Sequence, residues 1–121
     1  MEGIEEEEVA VLLQRYAASA AAHGRATETG DHKAANAAHE SLSAVYRELR
    51  RRGTEAQRAL LPLLEDRDIG VRAWAGAHAL EFSAVDGERV LTQIAEIPKS
   101  LVSFSAKMTL RQWREGKLRF P

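Results

Sequence analysis

Leu60-Leu61-Pro62-Leu63-Leu64-Glu65-Asp66-Arg67-Asp68-Ile69-Gly70-Val71-Arg72-Ala73-Trp74 opens a pattern that the chain writes a second time from Val90-Leu91-Thr92-Gln93-Ile94 onward. Aligned without a gap, Leu61 falls on Leu91, Leu64 on Ile94, Val71 on Leu101, Trp74 on Phe104, Gly76 on Ala106 and Leu80 on Leu110. Each copy reads as a short amphipathic helix, a polar turn, then a longer helix with an aromatic in its second turn. Trp74 and Phe104 are then equivalent core positions. A helix pair cannot bury its apolar face alone, so a repeated pair predicts stacking.

Ahead of this stretch, Val9, Leu12, Tyr16, Ala20 and His23 recur at spacings of three and four, which predicts a first helix over residues 5–23 that Gly24 ends or bends. Glu5, Glu6, Glu7 and Glu8 suit the positive end of that helix. Asp31 is the expected N-cap of a second helix reaching Arg52, with Gly53 past its end and Ala35, Ala38, Leu42, Val45 and Leu49 as its buried stripe. Thr54 and Gln57 have the spacing of a capping box for a third helix over residues 55–65, which Pro62 should bend. Asp68 should cap a fourth helix over residues 69–82, with Val71, Trp74, Ala75, His78 and Phe82 inward. Ser83 and Asp86 form a second capping box for a fifth over residues 84–96. The sixth, over residues 100–115, should turn Leu101, Phe104 and Met108 inward and close on Gly116.

No window alternates with period two, so the class is all-α, and 121 residues form one domain, residues 1–121. The absence of cysteine excludes disulfides, a thiol nucleophile and a cysteine-type zinc site. No apolar run approaches the ~20 residues of a membrane span. Glutamates occupy the start, where a secretory signal would place positive charge. These features predict a soluble, cytoplasmic protein.

Residues 60–80 resemble the HEAT-repeat pattern: a leucine-rich first helix, aspartate in the turn, Val71-Arg72 opening the second helix, then small residues and Leu80. The second copy departs from it, with Leu101-Val102 in place of Val-Arg and Pro98 in the turn, as a terminal copy would. The whole chain is similar to a bacterial family of small helical proteins known as a domain of unknown function. The similarity rests on Val71-Arg72, Ala106-Lys107-Met108-Thr109-Leu110, Gly116 and Pro121. It implies a two-helix N-terminal hairpin followed by two HEAT-like helix pairs, a short α-solenoid of about six helices. It also implies a partner, because such relatives are often encoded beside bacterial toxins: an immunity-type inhibitor that binds and neutralises a cognate toxin domain. No catalytic residues come with it.

The residues themselves point the same way. There is no Gly-x-Ser-x-Gly, no P-loop and no Gly-rich dinucleotide turn, and acids such as Asp68 and Asp86 stand where caps belong, so no enzyme is expected. His32, Asn36 and His39 share a helix face but lack the third strong ligand that zinc requires, and His78 lies between Trp74 and Phe82 as a core histidine. Neither a metal nor a cofactor is expected. Charge is unevenly placed although the net charge is −1. Two candidate partner-binding faces follow: acidic Glu5, Glu6, Glu7 and Glu8, and a basic face of Arg111, Trp113, Arg114 and Lys117, where a tryptophan beside arginines has the composition of an interface hot spot. The alternative function is nucleic-acid binding through Arg47, Arg50, Arg51, Arg52, Arg58 and the C-terminal bases, which the net charge disfavours. A homo-oligomer is also compatible with the sequence.

Overall fold

The computed structural model describes residues 3–121. Six α-helices follow one another: α1 Val9–Thr29, α2 His32–Arg52, α3 Thr54–Arg58, α4 Ile69–Phe82, α5 Ala84–Ala95 and α6 Leu101–Arg114. Two short 3-10 turns, Ile4–Glu6 and Leu61–Glu65, precede α1 and α4, and no strand occurs among the described residues. α1 and α2 form the antiparallel hairpin, α4 packs on α1, α5 on α4, and α6 on α5. The result is a short solenoid-like stack. Its core is one continuous cluster from Leu12, Tyr16 and Leu42 through Val71 and Ala75 to Leu91, Ile94 and Leu110.

Several ends form as their residues dictate. The Asp31 carboxylate accepts from the Ala34 N–H, Asp68 from Val71 N–H and the Ser100 hydroxyl from Ser103 N–H, each satisfying a first-turn donor that the helix leaves orphaned. Gly116, at φ 73°, closes α6 in the left-handed conformation that glycine adopts without steric cost.

The first helix departs from expectation at both ends. Glu5 and Glu6 lie in the 3-10 turn and Glu8 is the N-cap, so no acid occupies the first turn of α1. Gly24 does not end α1, which continues to Thr29 with Gly30 as its C-cap. It is buried because here α1 crosses α4: a Cβ on Gly24 would lie 3.0 Å from the Gly70 Cα, and one on Gly70 would lie 2.6 Å from the Ala20 carbonyl oxygen. Glycine at this point permits close backbone approach. It does not break the helix.

The two expected capping boxes are not made in backbone form. Thr54 is already inside α3, Gly53 precedes it, and Gln57 is buried with its amide turned to the Tyr46 hydroxyl. A buried phenol without a partner costs more than an exposed helix end that water can solvate, so the glutamine goes inward. Ser83 donates its hydroxyl to the Asp86 carboxylate at 2.6 Å and accepts no backbone N–H. Pro62 sits in the first turn of the second 3-10 segment, where its missing N–H is not needed, and the predicted third helix is accordingly split.

The repeat holds in the first segment and at the C-terminal end of each copy and fails at the start of α6. Leu64 and Ile94, Gly76 and Ala106, and Leu80 and Leu110 are buried in both copies. Val71 is buried but Leu101 is exposed, and Trp74 is half-buried where Phe104 is exposed. The inner face of α6 is instead Val102, Ser103, Ala106 and Leu110. α4 packs on both α1 and α5, whereas α6 packs on α5, α4 and α1 and leaves the face of Leu101, Phe104 and Met108 uncovered. The residues that would have met a following pair therefore face solvent.

Candidate functional site

Trp74 on α4 is the centre of a ring cluster that gathers three of the four histidines. Its indole Nε1 donates to His23 Nδ1 on α1 at 3.1 Å, and the two rings meet edge-on with centroids 5.1 Å apart. His39 of α2 tilts against the same indole at 5.4 Å, and His78 lies one turn along α4 at 5.5 Å. Burial, and the neighbouring His39, hold the His23 pKa below its ordinary value, which keeps Nδ1 free to accept from the indole.

His78 is fixed on three sides. Its ring stacks on Tyr46, and its Nδ1 lies 2.6 Å from the Tyr16 hydroxyl. Tyr16 is fully buried, and this nitrogen is its hydrogen-bond partner. The tautomer that leaves fewest groups unpaired has the phenol donating to Nδ1 and the proton of His78 on Nε2. Burial pushes the His78 pKa down to about 3, with His39 and Arg50 adding in the same direction, so the imidazole is neutral across the physiological range. Beyond the stack, the Tyr46 hydroxyl donates to Glu81 Oε1 at 2.6 Å and accepts from Gln57 Nε2 at 2.9 Å. Arg50 closes the network, donating to both Glu81 oxygens at 3.3 Å and to the backbone oxygen of Pro121. Burial, and then the Glu81 bond, raise the Tyr46 pKa well above that of a free phenol.

Most of the charged residues singled out from the sequence are engaged within the fold. Arg111 and Lys117 both reach Glu115, at 3.3 and 3.6 Å, and Arg114 reaches Glu88 at 3.1 Å. Trp113 is half-buried against the core cluster, in a packing role. Glu7 pairs with Arg15 at 3.2 Å, Glu6 and Glu8 are exposed, and the Glu5 carbonyl accepts from Arg52. Arg51 and Arg52 converge on buried Glu48 at 2.6 and 2.7 Å, and these bonds, Arg51's first, hold its carboxyl down at about 2. With Arg50 on Glu81, much of the basic cluster is neutralised internally. His32 and His39 do not come together with other ligands, and no group of three or more His, Asp or Glu among the described residues could hold a metal ion. No helix among them is long and apolar enough to cross a membrane.

The surface that sequence reasoning misplaced is on α6. Ile97, Leu101, Phe104 and Met108 are 37%, 53%, 59% and 37% exposed, an apolar row that runs from the turn after α5 along the outside of the last helix. Lys99 and Lys107 flank it, and neither is in an ion pair among the described residues. The signal was present: Val102, Ala106 and Leu110 form a second apolar stripe on α6, and a helix with two such stripes has one to spare.

Fold and surface define a small all-helical, solenoid-like domain with an uncapped apolar end. The chain belongs to the family described as a domain of unknown function (DUF2019), whose model matches residues 10–113. No curated protein matches it. Among solved structures it is similar to the protein RPA1889 from Rhodopseudomonas palustris CGA009. The two are 19% identical and superpose with a TM-score of 0.85 over 100% of both chains, a likeness of fold.

Proposed function

We propose that this protein is a protein-binding module, an immunity-type inhibitor that masks a cognate bacterial toxin through the outer face of α6. The observation that carries the reading is the exposed row of Ile97, Leu101, Phe104 and Met108. Helical stacks that end in solvent present a polar outer face, because an apolar end invites association. Here the end is apolar with a lysine on either side, which suits a partner surface with an apolar centre and acidic margins. A second copy of the chain fits less well, because a two-fold contact through this face would set Lys99 and Lys107 of one copy against those of the other. Nucleic acid is disfavoured by the internal pairing of Arg50, Arg51 and Arg52.

Co-expression with the product of the adjacent gene tests the proposal. The wild-type chain should co-purify with that product and suppress its toxicity. Leu101→Asp with Phe104→Asp should abolish both, and replacing Glu6 and Glu8 by Gln should change neither. Absence of binding, or binding indifferent to the α6 pair, would retire it.

A further inference from the structure

The stack leaves a concavity of about 700 Å³ between α2, α4, α6 and the C-terminal tail. Trp74, together with His39, also lines a smaller one of about 310 Å³ toward α1. The larger lies within the size range of small-molecule sites. Two of its lining residues, His78 and Ser43, each carry a buried polar atom that no protein group satisfies, His78 Nε2 and Ser43 Oγ. The residues themselves are only 2% and 4% exposed. Native proteins leave few such groups unpaired, and those they leave call for a partner. With Nδ1 held by Tyr16 and one ring face covered by Tyr46, Nε2 is the ring nitrogen of this cavity-lining residue left without a partner. The tautomer argued above makes that nitrogen a donor. A serine hydroxyl in mid-helix that does not bond back to its own backbone has its hydrogen to give as well. The wall therefore offers donors and asks for acceptors.

Side-chain charge among the lining residues is net positive. Arg47 and Arg119 line the cavity, neither in an ion pair among the described residues, against one acidic side chain, Glu40. Trp74 contributes a flat apolar wall, and its indole nitrogen is already spent on His23. We infer that this cavity binds a small organic anion with a flat apolar body, an aromatic carboxylate, whose oxygens accept from His78 and Ser43 within the positive field of Arg47 and Arg119 and whose ring lies against Trp74. Charge-assisted bonds in a partly desolvated site discriminate strongly against a neutral isostere. The site is on different residues from the α6 row and does not depend on the protein-binding proposal.

The test uses benzoate, its neutral isostere benzamide and inorganic phosphate, titrated by calorimetry and by indole emission in a Trp113→Phe chain, where Trp74 is the remaining tryptophan. Benzoate should bind saturably and perturb Trp74 emission, with benzamide and phosphate at least about tenfold weaker. Arg47→Gln with Arg119→Gln should weaken benzoate about tenfold or more, and Ser43→Ala several-fold, with the thermal midpoint of the free chain unchanged in the double arginine variant. Phe104→Asp should leave benzoate binding intact. The inference is overturned if benzoate shows no saturable binding tighter than about 1 mM, if benzamide or phosphate equals it, or if the double arginine variant binds it as well as the parent.

Discussion

The rings of Tyr46 and His78 lie parallel, 4° apart in plane with centroids separated by 3.9 Å, and thereby join the N-terminal hairpin to α4. A neutral imidazole in this position ties stability to pH. In the unfolded chain His78 titrates near 6.5, but in the folded chain it takes up a proton only near 3. Below pH 6.5 the unfolded state therefore binds more protons. The contribution is complete above that value and is lost progressively as pH falls toward 3, with a limiting slope of about 1.4 kcal/mol per pH unit. His23, also lowered, acts in the same direction. Glu48 loses its contribution only between about 4.5 and 2, so the range just below pH 6.5 isolates the histidines. Urea unfolding across that range should show the decline, and His78→Phe should flatten it while costing about 1–3 kcal/mol for the stranded Tyr16 hydroxyl. An unchanged slope would assign the protons elsewhere.

Gly70→Ala pits two effects against each other. Alanine is favoured over glycine inside a helix by about 1 kcal/mol. The added Cβ, however, would lie 2.6 Å from the Ala20 carbonyl oxygen and 3.1 Å from the Gly24 Cα, both backbone atoms that no rotamer change can move aside. Forcing α1 and α4 apart costs about 1–3 kcal/mol, so the packing effect wins and the variant should be net destabilised. A thermal midpoint equal to or above that of the parent would show that this crossing is looser than its geometry.

How much of this was legible follows from distance along the chain. Asp31 and Asp68 cap as read because a cap is settled within three residues, whereas Ser100, read as the first residue of the sixth helix, is its cap. Gly24 was misread because local pattern does not distinguish a glycine that ends a helix from one that admits a second helix. Its partner, Gly70, is on another element. The Tyr16, Tyr46, Gln57, His78 and Glu81 network was out of reach for the same reason, with Tyr16 and His78 standing 62 positions apart. His78 was expected to be a core residue and is one, but its tyrosine partners were not foreseen. Phe104 and Leu101 failed differently. Their spacing is that of a buried stripe, and only the end of the stack leaves it uncovered.

Asp68 and Ser83 precede α4 and α5 in equivalent positions but do different work. Asp68 accepts from the Val71 N–H at 3.1 Å, while Ser83 gives its hydroxyl to Asp86 and caps no backbone group. Asp68→Ala should therefore lower stability by about 0.5–2 kcal/mol. Ser83→Ala should fall at or below the lower end of that range, the worth of one part-buried side-chain bond between neighbours. Chemical denaturation of the two variants in parallel measures the difference, and equal losses would contradict it.

The two faces of α6 should separate cleanly under mutation. Leu110 is buried at 4% exposure on the inner face, and Phe104 is 59% exposed on the outer one. Leu110→Ala removes buried methyl groups and leaves a cavity, a loss of about 2–5 kcal/mol. Phe104→Ser takes away a side chain with little folded-state packing to lose, so stability should stay within about 0.5 kcal/mol of the parent. If the apolar row also drives weak self-association of the free chain, Phe104→Ser should raise solubility at high concentration without moving the unfolding midpoint. The inward register first read from the sequence predicts the reverse order, with Phe104 the costlier loss. Unfolding curves for these two variants therefore decide which face of the last helix the core holds.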